Sequence, residues 1–155
     1  MEKKTKVQAG EGRQDILITR EFDLPVELLF KAYTQPEIVA EWMGTKVVKL
    51  ENKKHGSWQF ETSDPQGNVV FTAAGTIHDI IPNEKIVRTF QMAAPGFDAQ
   101  LEFLEFEALT ASTSKLNMLI VYKSVAHRDQ QLRLPFAMGL NMAHERLQTI
   151  ASRLQ

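Results

Sequence analysis

Between residues 46 and 122 the chain holds six strand-length apolar segments and no stretch long enough for an intervening helix, and this spacing restricts the fold more than any other feature. Segments 47–50, 58–62, 69–81, 85–92, 100–109 and 115–122 alternate, or run apolar, as half-buried strands do. Turn chemistry separates them: Lys54-His55-Gly56, Asp64-Pro65-Gln66-Gly67, Pro82-Asn83-Glu84, Ala94-Pro95-Gly96 and Ala111-Ser112-Thr113-Ser114. Connections this short join antiparallel neighbours, whereas a parallel sheet needs a crossover helix between successive strands. One antiparallel sheet is therefore predicted.

The flanks add helices. Residues 15–22 read as a further strand, with a register irregularity expected near Glu21 or Phe22. Asp23-Leu24-Pro25 looks like a helix start, Asp23 serving as cap, and Val26, Leu29, Phe30 and Tyr33 follow at helical spacing. Pro36 restarts the pattern, Ile38, Val39, Trp42 and Met43 form the buried side of a second short helix, and Gly44 stops it. In the tail, Phe136, Leu140, Ala143, Leu147, Ile150 and Leu154 recur at steps of three and four, so the longest helix begins near Leu134. Its apolar stripe has only the sheet to pack on. The expected fold class is α+β: a curved antiparallel sheet of six or seven strands wrapped on a long C-terminal helix, with two short helices after the first strand. A pocket is expected where helix and sheet diverge.

Composition bounds the partners. With 18 basic and 19 acidic residues there is no net field to gather phosphate backbones, so nucleic acid is not an expected partner. The absence of cysteine excludes disulfides, thiolate metal sites and cysteine nucleophiles, and makes the cytoplasm the default expectation. Residues 1–6 have the charge of a signal sequence, but 7–14 are polar where an apolar core is needed. Residues 1–13 thus read as a flexible lead-in and 14–155 as one domain. No segment approaches the ~20 apolar residues of a membrane span. The four histidines show no metal-ligand spacing, and no nucleophile elbow or phosphate-binding glycine loop is present, so neither a metal nor a cofactor is expected.

The order of these blocks resembles a known superfamily. The likeness rests on residues 25–30, on Pro36 through Glu41-Trp42-Met43-Gly44, and on His55-Gly56-Ser57-Trp58-Gln59-Phe60. It continues through Asp64-Pro65-Gln66-Gly67, residues 75–87 and the C-terminal helix. In these the chain resembles the START-like, helix-grip superfamily (also termed SRPBCC or Bet v 1-like), in particular the branch similar to the C-terminal domain of the heat-shock-protein ATPase activator. Three positions depart from that pattern: Met43 replaces a usual second tryptophan, His55-Gly56 replaces paired glycines, and His78 replaces an acidic residue. The resemblance implies a cavity between sheet and C-terminal helix that holds a hydrophobic, lipid-like or polycyclic small molecule. It also implies two alternatives, a chaperone-accessory interaction domain and a cavity enzyme of cyclase, dehydratase or hydrolase type.

Individual residues sharpen that expectation. The small side chains of Thr72-Ala73-Ala74-Gly75-Thr76 leave volume under the helix, filled either by a cavity or by close helix packing at Gly139. Trp42, Trp58, Phe60, Phe90, Phe103, Met118, Met138 and Met142 are the large apolar candidates for ligand contact, methionine suiting a pocket that accepts varied shapes. Arg88 alternates with Ile86 and Phe90, which aims a guanidinium at the apolar side as a polar anchor. Its competing readings are an internal salt bridge to Glu105 or Glu107, a snorkelling position, or a slipped register that leaves it in water. His78 is the candidate acid/base of the enzymatic alternative, against a plain surface histidine. No catalytic residue is assigned. An edge strand also leaves homodimerisation open.

Overall fold

The computed structural model describes residues 4–93, 97–133 and 135–155. Its elements are β1 (Lys6–Gln8), β2 (Asp15–Phe22), α1 (Val26–Thr34), α2 (Pro36–Met43), β3 (Lys46–Leu50), β4 (Ser57–Ser63), β5 (Val69–Ile81), β6 (Lys85–Met92), β7 (Gln100–Ala108), β8 (Ser114–Val121), α3 (Val125–Leu132) and α4 (Phe136–Ser152). The strands form one antiparallel sheet in the order β1-β2-β8-β7-β6-β5-β4-β3. Helices α1, α2 and α4 pack on its concave face, the helix-grip arrangement the spacing predicts.

The helix boundaries follow local chemistry. Pro36 opens α2, where its missing N–H costs nothing, and Gly44 closes it in the left-handed conformation (φ 61°) with its N–H on the Ala40 carbonyl. Asp23 does not cap α1: the helix starts behind Pro25, whose carbonyl accepts from the Leu28 and Leu29 N–H groups. The Asp23 N–H instead meets Gln148 Oε1 at 2.9 Å, tying the chain to α4.

Four further expectations are corrected. The sheet has eight strands because residues 6–8, read as lead-in, pair with β2 (Lys6↔Thr19, Val7↔Ile18, Gln8↔Leu17). Strand β2 keeps an unbroken register from Asp15↔Val121 to Phe22↔Ser114, so that Ile16, Ile18, Arg20 and Phe22 all face inward. Helix α3 was not foreseen, because its buried face is polar: His127, Arg128 and Gln131. Ser124 caps it, and Arg128 Nη1 reaches the Gly10 and Asp15 carbonyls. The Ala94-Pro95-Gly96 turn and Leu134 lie outside the described residues.

The fourth correction concerns the small residues of β5. Register sets Trp58 opposite Gly75 and Phe60 opposite Ala73, so the aromatic rings fill the volume those side chains vacate. Trp58 Nε1 donates to the Thr89 carbonyl at 3.2 Å, and a Cβ on Gly75 would lie 1.9 Å from that same oxygen. This stretch makes a tight secondary core of Val39, Trp58, Phe60, Ala73 and Ile77, not a void. Nor does Gly139 mediate close packing, since nothing lies within 4 Å of the Cβ it lacks. The departure at His55 is also explained. Its φ of 65° is the left-handed region that glycine adopts freely and histidine tolerates at some cost, while Gly56 has no room for a Cβ, which would meet the Glu51 carbonyl oxygen at 2.2 Å.

Candidate functional site

Register builds the floor of a cavity. Because antiparallel partners stand side by side, the inward residues of β6, β7, β8 and β2 form parallel rows: Phe90–Gln100, then Arg88–Glu102–Ile120–Ile16, then Ile86–Leu104–Met118–Ile18. Above these rows a cavity of about 470 Å³ lies between sheet and α4. Phe136, Leu140, Ala143 and His144 of α4 roof it, and Trp42 and Met43 of α2 close one flank. Tyr33, Tyr122 and Gln131 add polar groups to its lining, and the exposed Arg146 stands at its rim. This size and the apolar lining with few convergent polar groups are those of a small-molecule site.

One buried ion pair sits in that floor. Arg88 Nε donates to Glu102 Oε1 at 2.8 Å, with the two side chains only 9% and 4% exposed. Gln100 Nε2 donates to the second carboxylate oxygen at 2.8 Å, and the guanidinium carbon stands 5.2 Å from the Trp58 ring centroid. The anticipated partners Glu105 and Glu107 point outward instead. Parity decides this: Glu102, Leu104 and Phe106 are buried on one face of β7, and the odd-numbered residues lie on the other. The alternation of Glu102 with Leu104 and Phe106 was a legible signal for an inward carboxylate.

The titratable neighbours are set by burial. Desolvation raises the Tyr33 and Tyr122 hydroxyls well above the ordinary phenol range, with Glu102 adding to the effect on both. His144, 1% exposed, is the histidine that faces the cavity, and burial followed by the nearby Arg20 cation lowers its pKa to about 4. Its Nδ1 lies 2.6 Å from Thr5 Oγ1, and its ring meets Phe22 edge-on at 5.6 Å. His78, the candidate acid/base, is an exposed residue of β5 and does not line this cavity. Among the described residues no cluster of three or more histidine, aspartate or glutamate side chains is placed to hold a metal ion.

The predicted ligand contacts divide. Trp42, Arg88, Phe90 and Met118 line the cavity together. Trp58 and Phe60 stand behind it in the secondary core, Trp58 backing Phe90 at 5.5 Å between centroids. Phe103 faces the convex side, in a shallow groove with Leu17 and Leu119. Met138 and Met142 are 65% and 54% exposed on the solvent side of α4. Their rotation follows from the helical period, since Met138 is two residues past Phe136 and so about 200° round the axis. Tyr33, Glu102, Tyr122 and His144 also line the cavity and were not anticipated there: spacing marks Tyr33 and Glu102 as inward, but an inward direction does not say which side chains share a cavity.

What this arrangement can do chemically is hold an amphipathic molecule. Each oxygen of Glu102 accepts one hydrogen bond, and the apolar rows and roof supply area for a hydrophobic body.

Solved structures share the fold. A Rhodobacter sphaeroides protein superposes with a TM-score of 0.83 at 19% identity, over 97% of this chain and 100% of that one. A Mycobacterium smegmatis protein gives 0.84 at 16%, over 98% and 99%. A Mesorhizobium loti protein gives 0.70 at 22%, over 91% and 98%. No curated protein matches the sequence. Among the described residues no helix is long and apolar enough to cross a membrane. Residues 23–152 match the sequence profile described as "Activator of Hsp90 ATPase homolog 1-like protein", a match over most of the chain, and the chain therefore belongs to that family.

Proposed function

We propose that this protein binds an amphipathic small molecule in the cavity between α4 and the sheet, with its apolar body against Trp42, Phe90, Met118 and Leu140 and its polar end at Arg88. The observation that carries this reading is the pairing of an apolar cavity of about 470 Å³ with a single buried ion pair in its floor. Burying ~300 Å² of apolar ligand surface is worth about 7 kcal/mol gross. Ordering and association costs of several kcal/mol come off that figure, so shape alone supports useful affinity.

Titration with the neutral fluorophore N-phenyl-1-naphthylamine tests it. The wild-type chain is expected to bind the probe saturably, and Met118→Trp, which fills the floor, to weaken binding about tenfold or more with unchanged circular dichroism. Phe103→Ala, on the convex face, should leave binding unaltered. A wild-type chain that excludes the probe, or a folded Met118→Trp variant that binds it undiminished, removes the reading.

A protein-interaction role has one observation in its favour. Strand β5 outruns β6, whose last ladder partner is Ala73, and its projecting end exposes Val69, Val70 and Phe71. If that end docks on a chaperone of the Hsp90 class, adding the chain to purified Hsp90 should raise ATP hydrolysis and Val70→Lys should abolish the gain. An unchanged rate sinks this second reading.

A further inference from the structure

The polar end of the cavity has more hydrogen-bond donors than it uses. Each oxygen of Glu102 already accepts one bond, from Arg88 Nε and from Gln100 Nε2. Arg88 uses only one of its three nitrogens in this way. Its two terminal nitrogens have no hydrogen-bond partner among the described residues, although the side chain lines the cavity at 9% exposure. The Tyr33 and Tyr122 hydroxyls likewise have no hydrogen-bond partner among the described residues, in side chains that line the same space and are 6% and 3% exposed. None of these atoms is fully enclosed, so the donors open onto the cavity, where water or the polar group of a ligand can accept from them.

The inventory says which group. Against four terminal N–H bonds of Arg88 and two phenol hydroxyls stand, among the described side chains of the lining, the amide oxygens of Gln100 and Gln131 and the remaining lone pairs of Glu102. Of the ionised side chains that line the cavity, Arg88 and Glu102 are buried and offset each other, Arg146 is exposed at the rim, where a surface groove also holds Glu41 and Glu145, and His144 is neutral at pH 7. The site is therefore rich in donors, and the strongest of them belong to the Arg88 cation. An ammonium head would bring donors to donors, and an alcohol would accept only one or two of the available bonds. A carboxylate accepts up to four, and those from the guanidinium are charge-assisted.

We infer, on the binding reading above, that the molecule this cavity takes is an amphipathic monocarboxylate, its head group accepting from the terminal nitrogens of Arg88 and the hydroxyls of Tyr33 and Tyr122. Glu102 has two parts in this. It fixes the guanidinium through Nε alone, leaving the terminal nitrogens free, and its own charge opposes a second anion. Dicarboxylates and phosphate monoesters are disfavoured for that reason.

Displacement of N-phenyl-1-naphthylamine by decanoate, decan-1-ol, decylamine and decanedioate at pH 7.5 decides the matter, because the four share one chain length. Decanoate is expected to displace the probe at a concentration about tenfold or more below the other three. That preference should shrink in Tyr33→Phe and in Tyr122→Phe, which keep the charges, and vanish when Arg88→Met and Glu102→Gln are combined so that neither charge is left unpaired. Equal displacement by all four, or decylamine as the strongest, overturns the carboxylate assignment while leaving cavity binding intact. If the probe itself never binds, the binding reading has failed first. The wild-type ranking and the two tyrosine variants settle the assignment even if the double variant does not fold.

Discussion

Removing the carboxylate of Glu102 tests the central feature of the site. In Glu102→Leu the guanidinium of Arg88 remains in place, largely out of water, with its 2.8 Å partner gone. Charge centres about 4 Å apart interact by about 4 kcal/mol at an effective dielectric near 20. Stripping one member from a buried pair costs about 3–5 kcal/mol. The open cavity lets water reach the terminal nitrogens of Arg88, which places the expected loss near the lower end, about 3 kcal/mol. Replacing both members, Arg88→Met with Glu102→Leu, exchanges the pair for apolar volume and is expected to be neutral or stabilising. The double-mutant cycle should thus return a coupling of about 3 kcal/mol or more. Urea unfolding at pH 7, with all four proteins giving the same dependence on denaturant, measures it. A coupling below about 1 kcal/mol, the range of exposed pairs, would refute the description of a desolvated ion pair in the cavity floor.

Three further outcomes follow from the geometry. Leu147→Ala, at a fully buried position where α4 grips the sheet, should cost about 2–5 kcal/mol in chemical denaturation, and a change under 1 kcal/mol would mean that α4 is not anchored there. Gly75→Ala puts a Cβ 1.9 Å from the Thr89 carbonyl oxygen and 2.7 Å from Trp58 Nε1, neither free to retreat, so a loss of about 3 kcal/mol or more in thermal unfolding is expected, and near-wild-type stability would contradict the packing of the secondary core. Because the folded pKa of His144 lies at about 4, below the 6.5 of an unfolded chain, the unfolded state binds the extra proton in between, and stability present above pH 6.5 is lost as the pH falls toward 4. The loss amounts to about 3 kcal/mol. Urea midpoints at pH 7, 6 and 5 measure it above the range where Asp15, Glu51, Asp79 and Asp98 titrate, and a flat profile would place His144 in water.

Local pattern determined the elements of this protein. Two-residue alternation between short turns leaves an antiparallel ladder as the only economical pairing for residues 46–122, and the prolines at 25 and 36, the glycine at 44 and the three-four repeat after Phe136 mark the helices without reference to anything distant. Elements lacking such a period were invisible: the three residues of β1 are too few to show one, and α3 buries His127, Arg128 and Gln131 where an apolar stripe would have announced it. The site itself was decided at the tertiary level. Alternation says that Trp58, Phe60, Arg88 and Phe90 face inward, but only the cross-strand register puts Trp58 against Gly75 in a closed core and Arg88 beside Glu102 in an open one. Phe103 and Leu104 are equally apolar neighbours on β7, and the parity that turns one to solvent and the other to the core is fixed by pairing with β6 and β8. Facing direction is a property of one strand, whereas which side chains share a cavity depends on how several strands are aligned under one helix, and that alignment is a long-range fact.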